Sequence, residues 1–420
     1  MTTILRRAKR LSLSAAVAGQ CAVALVSMTI KPQLAAAEVN FNPYGSASVE
    51  SNSNVFALPG AGTYGITSLG DTISEYIAGL SSNGTWGDNT AKVNLEARNF
   101  QYDKYVDLDH FEFAGDGTLD WHLGPITETI LTYSQSRIAA NFADTLGSQL
   151  EINTTKLASA TIRVLITPEW RVGVAPALHE YDTPLQGYAD FRLRETAGDA
   201  TLDYLGIASV VMGLDLNYTS GQYNGIYNAT NYHQDSAKFT ASYKVTDKSS
   251  LTGDIGYTKR ETSLNPEGSI GVVVDPNLAA QQGLTGATAT FTGDAIYSLK
   301  ITEKTTLNVQ LFRRIESYVA GANSEIGTGG QIGLQYQPDF RFQFQIDYQH
   351  ENDDIQGNLV IADVIDRHDK AQWADFQAKY FIQNWLNLKA FARRDLRDST
   401  LSVANYNATI YGIELDAKLQ

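Results

Sequence analysis

The clearest pattern in the chain is a strict alternation of apolar and polar residues over two consecutive stretches between Ala289 and Tyr318. A period of two places the apolar and the polar residues on opposite faces of an extended strand. The turn between the two stretches covers Thr302 to Thr305. A strand that crosses a bilayer needs about 9–11 tilted residues, apolar towards lipid and polar towards a lumen. The pattern therefore predicts a hairpin of two transmembrane strands.

The same alternation recurs from Pro43 to Leu419 and predicts about 18 strands, within a range of 16–18. One set of connections is short and made of turn-forming residues, such as Thr246-Asp247-Lys248 and Gln337-Pro338-Asp339. The alternate connections are long, and the longest are Gln222 to Asp235, Leu264 to Gly286 and Ile355 to Asp369. Short turns on one side and long loops on the other are typical of bacterial outer-membrane barrels. The fold class predicted is all-β, a transmembrane antiparallel outer-membrane β-barrel located in the bacterial outer membrane.

A soluble β-propeller or double sandwich is the competing fold. Propellers repeat a blade motif at a fixed period of about 40–50 residues. The chain has only the general strand–turn–strand period, which favours the barrel.

The first 37 residues have the features of a secretory signal peptide. Four basic residues precede an apolar segment from Leu11 to Ile30, and Ala35-Ala36-Ala37 offers a cleavage site of small residues. A membrane anchor is the alternative reading of the apolar segment. The predicted domains are the signal peptide at 1–37 and one outer-membrane β-barrel at 38–420. The single cysteine, Cys21, lies in the signal, so no disulfide framework is expected.

The composition excludes several classes of protein. The formal net charge of −14 argues against nucleic acid as a partner, because nucleic acid requires a basic surface. The 34 glycines, 22 tyrosines and only 3 methionines suit a β-rich membrane protein better than a helical one. Beyond Leu11 to Ile30 no run of 18 apolar residues occurs, and such a run would mark a membrane-spanning helix.

Charged residues at alternate positions of the predicted strands are expected to face the lumen, because a basic side chain costs about 2–4 kcal/mol at the lipid midplane. The predicted lumen-lining residues are Arg192, Arg194, Arg260, Arg314, Arg341, Lys389, Arg393 and Arg397. One interpretation is a polar lumen held open by ion pairs. The other is a path in which the arginines contact an anionic or hydroxyl-rich solute.

No catalytic residue, metal ligand or cofactor is predicted. The six histidines are scattered, and no nucleophile motif or phosphate-binding loop is present. Five aspartates from Asp103 to Asp120 raise the question of a calcium site, but strand alternation accounts for most of them. The chain is therefore expected not to be an enzyme, although an outer-membrane hydrolase stays as an alternative.

Two stretches resemble a known family. Asn42-Pro43-Tyr44 followed by Ser51-Asn52-Ser53-Asn54-Val55-Phe56-Ala57-Leu58 resembles the first strand of the β-barrel porin 2 family. The segment from Asp71 through Tyr102 to Leu119-Asp120-Trp121 is similar to the EpsL-like outer-membrane barrels of exosortase-linked exopolysaccharide clusters. The resemblance implies a part in the outer-membrane step of exopolysaccharide export. It carries no catalytic or binding residues with it.

The function expected from these observations is an outer-membrane pore that assists export of an extracellular polysaccharide through a polar lumen. The expected partners are outer-membrane lipid, an anionic or neutral polysaccharide and periplasmic export components. A general or substrate-specific diffusion porin is the alternative in the same class. A structural or adhesive surface barrel is the alternative in another class. The sequence names neither the solute nor the oligomeric state.

Overall fold

The computed structural model describes residues 38–145, 147–183, 191–224, 230–264, 286–316, 322–358 and 366–419. The predicted signal peptide at 1–37 lies outside the described residues, and so does 265–285, the body of the longest predicted loop.

Eighteen antiparallel strands form one sheet, as the alternation predicted. Their bounds are β1 Glu38–Asn52, β2 Asp71–Trp86, β3 Asn89–Tyr102, β4 His110–Leu123, β5 Thr127–Ala139, β6 Ile152–Thr167, β7 Trp170–Thr183, β8 Phe191–Ile207, β9 Val210–Asn224, β10 Thr230–Thr246, β11 Ser249–Leu264, β12 Gly286–Thr302, β13 Thr305–Glu316, β14 Ala322–Tyr336, β15 Phe342–Asn358, β16 Asp366–Gln383, β17 Leu386–Ser399 and β18 Tyr406–Lys418. The hairpin predicted between Ala289 and Tyr318 is β12 and β13, with Tyr297 opposite Val309.

The sheet closes on itself. Each strand pairs with its neighbours in the chain, and β1 pairs with β18 as well as with β2. Closure leaves no strand edge unpaired, which a sheet in hydrocarbon requires because lipid offers no hydrogen-bond partners to the backbone. The fold is a closed, all-β, 18-stranded barrel.

The two faces of the wall are told apart by which side chains are exposed and apolar. Residues directly opposite each other on paired strands share a face. The strand pairings therefore assign each residue to one of the two faces around the whole barrel. One face carries large exposed apolar side chains, such as Phe291 at 67% and Ile255 at 64% exposure. Phe291 stands directly opposite Tyr257, and the two rings meet edge to face. We assign this apolar face to lipid and the polar face to the lumen.

The connections are short at one end of the barrel and longer at the other. The turn between β2 and β3 is Gly87-Asp88. Two of the predicted long connections are shorter than expected. The strands continue to Asn224 and resume at Thr230, and they continue to Asn358 and resume at Asp366. The short-turn end is periplasmic by the rule for bacterial barrels.

The first strand is shorter at its end than the family resemblance implied. The stretch from Ser51 to Leu58 resembles part of a first strand, but β1 ends at Asn52. Residues 53–70 instead form a folded loop at the long-loop end, where Val55, Phe56 and Leu58 are buried. No helix among the described residues is long and apolar enough to cross a membrane.

Candidate functional site

The lumen wall carries a group of half-buried aspartates on neighbouring strands. They lie between the short-turn end and the midpoint of each strand, on the face opposite the apolar one. We call this group the acidic band, and it consists of Asp199, Asp215, Asp254, Asp294, Asp347 and Asp375.

Most carboxylates of the acidic band are held by amide side chains. Side-chain amides donate to the carboxylate oxygens at 2.5–2.7 Å, in the pairs Asn217 to Asp199, Gln310 to Asp294, Gln345 to Asp347 and Gln377 to Asp375. An amide satisfies a carboxylate's hydrogen bond but adds no positive charge. The amides therefore fix these four carboxylates in place without pairing them with a cation.

Two pairs in the acidic band stand directly opposite each other across neighbouring strands. Asp254 faces Asp294, and Asp347 faces Asp375. Like charges at directly opposite positions destabilise a sheet. Lys238 reduces the repulsion between Asp254 and Asp294, because its Nζ lies 2.8 Å from Oδ1 of Asp254. The wall thus concentrates negative charge at positions where stability alone would disfavour it.

A second charged group lies nearer the long-loop end. It combines arginines and carboxylates of β13 to β17, and we call it the mouth cluster: Arg314, Glu316, Glu351, Arg367, Asp369 and Arg397. Arg367 and Asp369 are 1% and 2% exposed, and Arg367 Nε donates to Asp369 Oδ1 at 2.9 Å. Arg397 Nε lies 3.7 Å from Asp369 Oδ2.

The other arginine of the mouth cluster also has carboxylate partners. Arg314 pairs with Glu316, and its Nη2 lies 3.6 Å from Glu351 Oε1. The cluster contains three arginines and three carboxylates, paired as an ion-pair ladder along the wall would be.

A third polar group is buried next to the mouth cluster. Arg260, 3% exposed, donates to Gln234 Oε1 at 3.0 Å and to the carbonyl of Glu316 at 3.1 Å. Its guanidinium lies 4.1 Å from the centre of the Tyr232 ring, and the Tyr232 hydroxyl donates to Glu195. Because Arg260 belongs to β11 and Glu316 to β13, this arginine ties two non-adjacent strands together.

Loops at the long-loop end pack on one another over the β1–β6 side of the barrel. Phe56 is 2% exposed, and its ring meets those of Tyr105 at 4.8 Å and Phe142 at 5.3 Å. Asn54 donates from Nδ2 to the carbonyls of Leu58 and Asn407. We call this packed group the mouth cap.

The β5–β6 connection, residues 140–151, extends from the mouth cap towards the lumen. A short helix, α1 (Phe142–Thr145), follows Asn141, whose Oδ1 accepts from the Ala143 amide at 3.0 Å. Arg397 of β17, six strands away around the wall, donates to the carbonyl of Ala143. Burial raises the pKa of the Glu151 carboxyl in the same connection. The connection thus projects into the opening and narrows it.

Five of the eight predicted lining residues lie on the lumen face of the wall: Arg260, Arg314, Lys389, Arg393 and Arg397. Each of these side chains is engaged. Lys389 pairs with Glu414, and Arg393 donates to Asp395 Oδ1 at 2.7 Å. Arg393 also lies 4.9 Å from the Trp373 ring centre. That any of them contacts a transported solute stays a prediction.

Arg192 and Arg194 do not face the lumen, so their predicted position is wrong. They share a strand face with Leu202, which stands opposite the exposed Leu214. Their partners are Asp182 and Glu180 on β7, at the long-loop rim. At the rim the side chains reach water, so charges there escape the cost of the lipid core.

Arg341 lies in the turn before β15, not on the lumen wall. Its backbone amide donates to Asp339 Oδ1 at 2.7 Å, and its side chain is exposed over the Phe340 ring. The lining candidates chosen from the sequence are basic residues, and the aspartates of the acidic band were not selected as a group. Its signal was present, because each aspartate of β12, β15 and β16 alternates with apolar neighbours.

No family model matches the chain, and no curated protein sequence matches it. The resemblance to the β-barrel porin 2 family and the EpsL-like barrels therefore stays a prediction. Several solved structures are similar in fold. The FrpB iron transporter of Neisseria meningitidis is 10% identical with a TM-score of 0.49, over 85% of this chain and 61% of that one. The chain thus spans about three fifths of the length of FrpB.

Two other solved structures, unlike FrpB, are matched over nearly their whole length. OccAB3 of Acinetobacter baumannii is 11% identical with a TM-score of 0.46, over 91% of this chain and 99% of that one. The outer membrane protein OpdK of Pseudomonas aeruginosa is 11% identical with a TM-score of 0.43, over 90% and 99%. Likenesses this distant concern the fold alone. The closed wall with its apolar outer face makes this chain a β-barrel of the bacterial outer membrane.

Proposed function

We propose that the barrel is a diffusion channel that prefers cations. The observation that carries the proposal is the acidic band, whose carboxylates are held mainly by neutral amides and not by cationic side chains. Rings of aspartate or glutamate favour cations in a water-filled pore. A barrel of 16–18 strands is wide enough for an aqueous interior.

The basic residues of the wall do not offset the band. Arg314, Arg393 and Lys389 each have a carboxylate partner within ion-pair distance. Lys238 sits within the band, but it stands opposite Asp215 and contacts Asp254, so one cation serves two carboxylates. An anionic solute would meet net negative charge at mid-lumen.

The test is the reversal potential of single channels in a planar bilayer under a potassium chloride gradient. The unmodified channel should prefer K⁺. A D215N/D254N/D294N variant should lose most of that preference, because three acidic side chains of the acidic band are replaced by neutral amides of nearly the same shape.

A matched control removes the same charge outside the lumen. Asp88, Asp247 and Glu303 lie in exposed short turns, so a D88N/D247N/E303Q variant should keep the preference for K⁺. An anion-selective unmodified channel would overturn the proposal. A barrel that conducts nothing would favour the structural or adhesive alternative.

Export of an extracellular polysaccharide is the second candidate, and the family resemblance is what favours it. Two aromatic side chains that could stack on sugar rings, Trp373 and Phe391, lie on the lumen face. They are covered by Arg393 and Lys389 respectively. If a neutral polymer of defined length blocks the conductance from the short-turn side and polymer secretion fails in a deletion strain, export gains support. If small cations alone permeate and secretion is unchanged, export is excluded.

A further inference from the structure

We infer that the short-turn opening of the lumen holds a binding site for a first-row divalent metal ion, formed by Asp120, His122 and Glu128. Asp120 and His122 lie two residues apart on β4, so they share a face. Glu128 of β5 stands directly opposite His122. One oxygen or nitrogen atom from each of the three lies within 4.8 Å of the other two.

The face they share is the lumen face. Trp121, between the two β4 ligands, is 44% exposed on the apolar face, and Leu131 opposite Leu119 is exposed on the same side. The three candidate ligands therefore point into water-filled space, near the end of β4 and the start of β5. A solute ion entering from the short-turn end would pass them first.

The hydrogen bonding of the group is incomplete in a way that a metal would complete. His122 Nδ1 and Asp120 Oδ1 are 3.5 Å apart. Both atoms are shielded from solvent, and neither has a hydrogen-bond partner within the part of the chain that the structure describes. Buried polar atoms without partners cost free energy. An ion between them would use the lone pairs of both atoms.

The donor set indicates which ion would bind. One imidazole nitrogen and two carboxylate oxygens suit zinc or manganese better than calcium, which takes six to eight oxygens. Waters from the lumen would fill the remaining positions. Coordination requires the neutral imidazole, so binding would weaken as the histidine becomes protonated.

Arg163 supplies a competing positive charge. Its Nη1 lies 3.1 Å from Glu128 Oε2. The guanidinium holds one carboxylate oxygen and leaves the other for a metal. Removing this arginine should therefore tighten metal binding, whereas it would loosen a group whose role is only to stabilise the wall.

The chain contains a natural control for the proposed triad. His179 of β7 and Glu195 of β8 also form an inward histidine–carboxylate pair, with Nδ1 2.6 Å from Oε2. Among the described residues, no third histidine, cysteine, aspartate or glutamate places a ligand atom within 4.8 Å of both members of that pair. A H179Q variant therefore removes an inward histidine without touching the proposed site.

The experiment is calorimetric titration of zinc chloride into the full barrel purified from outer membranes in detergent, with manganese and calcium chloride as comparison ions. The unmodified barrel should bind zinc with a stoichiometry of one. The variants H122Q and D120N should each weaken binding by about tenfold or more, since each removes a ligand. R163Q should strengthen it, and H179Q should leave it unchanged.

Cobalt chloride provides a second readout that does not depend on stability. Visible absorption of bound Co²⁺ should show imidazole coordination in the unmodified barrel and lose it in H122Q. Each variant is first shown to be folded by its circular dichroism spectrum. The inference is overturned if H122Q binds zinc as the unmodified barrel does, or if H179Q weakens binding as much as H122Q. It is overturned as well if R163Q weakens binding. None of these outcomes bears on cation preference, which is measured in the absence of divalent ions.

Discussion

The acidic band and the mouth cluster are both made of charged side chains on the same wall, yet they are arranged in opposite ways. In the mouth cluster Arg367 and Asp369 are almost fully buried and bind each other. In the acidic band the aspartates are half-buried and are held by neutral amides. The first arrangement cancels charge and the second preserves it.

The difference separates structural from functional charge in this barrel. A buried guanidinium needs its carboxylate, because an unpaired charge away from water is costly. A half-buried aspartate that accepts from an amide keeps a field that reaches a passing ion. Substitutions in the mouth cluster should therefore change stability, and those in the acidic band should change selectivity.

The largest effect is expected from breaking the buried pair. R367M leaves Asp369 buried beside only the more distant Arg397, and removing one partner of a buried ion pair costs roughly 3–5 kcal/mol. The free energy of unfolding, measured by denaturant titration in lipid vesicles, should fall by that amount. The double variant R367M/D369N should recover part of the loss. Unchanged stability in R367M would mean that the mouth cluster is not structural.

An effect of similar size but more local is expected in the mouth cap. F56A removes a ring that packs on Tyr105 and Phe142, and truncation of a buried phenylalanine costs about 3–5 kcal/mol when the cavity does not collapse. Hydrogen exchange and limited proteolysis should show that residues 53–70 open, whereas the strand amides stay protected. F340A, at a ring that is 77% exposed in a short turn, is the control. Global unfolding in F56A would contradict the separation of cap from wall.

Salt should act on the acidic band and leave the buried pair nearly untouched. The Debye length falls from about 10 Å at 0.1 M to about 3 Å at 1 M ionic strength. The permeability ratio of K⁺ to Cl⁻ should therefore move towards unity over this range, while the stability lost in R367M stays constant. A salt-independent ratio would indicate that pore size, not charge, sets the preference.

The mouth cap should respond to pH through Glu151. Because burial raises the pKa of this carboxyl, the folded loop favours its protonated form. The resulting stability is present below the ordinary carboxyl pKa and is lost as pH rises through the raised pKa. Hydrogen exchange of residues 140–151 should show opening as pH rises through that window, and E151Q should remove the dependence. Equal pH dependence in E151Q would assign it to another group.

The smallest effect is expected at the rim. Arg192 and Arg194 form exposed pairs on the outer side, and such pairs contribute about 0–1 kcal/mol. R192Q/R194Q should leave both stability and reversal potential within error of the unmodified channel. R393Q should instead increase the preference for K⁺, since Asp395 loses its partner on the lumen face. A change in selectivity in R192Q/R194Q would contradict the outward assignment and indicate that these arginines face the lumen.

Alternation predicted the barrel because it is a local property of each strand. Tyr297 and Leu299, or Asp347 and Gln349, show their face within a few residues, and short turns such as Asp247-Lys248 give the register directly. The number of strands and the closed fold followed from that. Lys389 and Arg393 were placed on the correct face for the same reason.

The errors arose where the local alternation is reversed or where contacts are distant in sequence. At the start of β8 Arg192 and Arg194 alternate with Phe191 and Leu193, a pattern that predicts inward arginines, but the register places the buried Leu193 on the lumen side and the arginines on the outer side. Phe56 looks like a strand residue, but its partner Phe142 is far along the chain. The group of Asp120, His122 and Glu128 spans a turn, and only the opposition of His122 and Glu128 across the hairpin brings it together.

The seam between β1 and β18 has a consequence for the order in which the chain folds. At its long-loop end Ser53 and Thr409 exchange two hydrogen bonds, N–H to carbonyl at 2.9 Å and N–H to hydroxyl at 2.7 Å. Bringing together segments so far apart in sequence costs more loop entropy than forming any hairpin. The hairpins of the wall should therefore form one after another, and the pairing of β1 with β18 should come last. Until β18 pairs with it, β1 has an unpaired edge. The hydrogen bonds of Ser53 and Asn54 to β18 should therefore be among the last contacts to form.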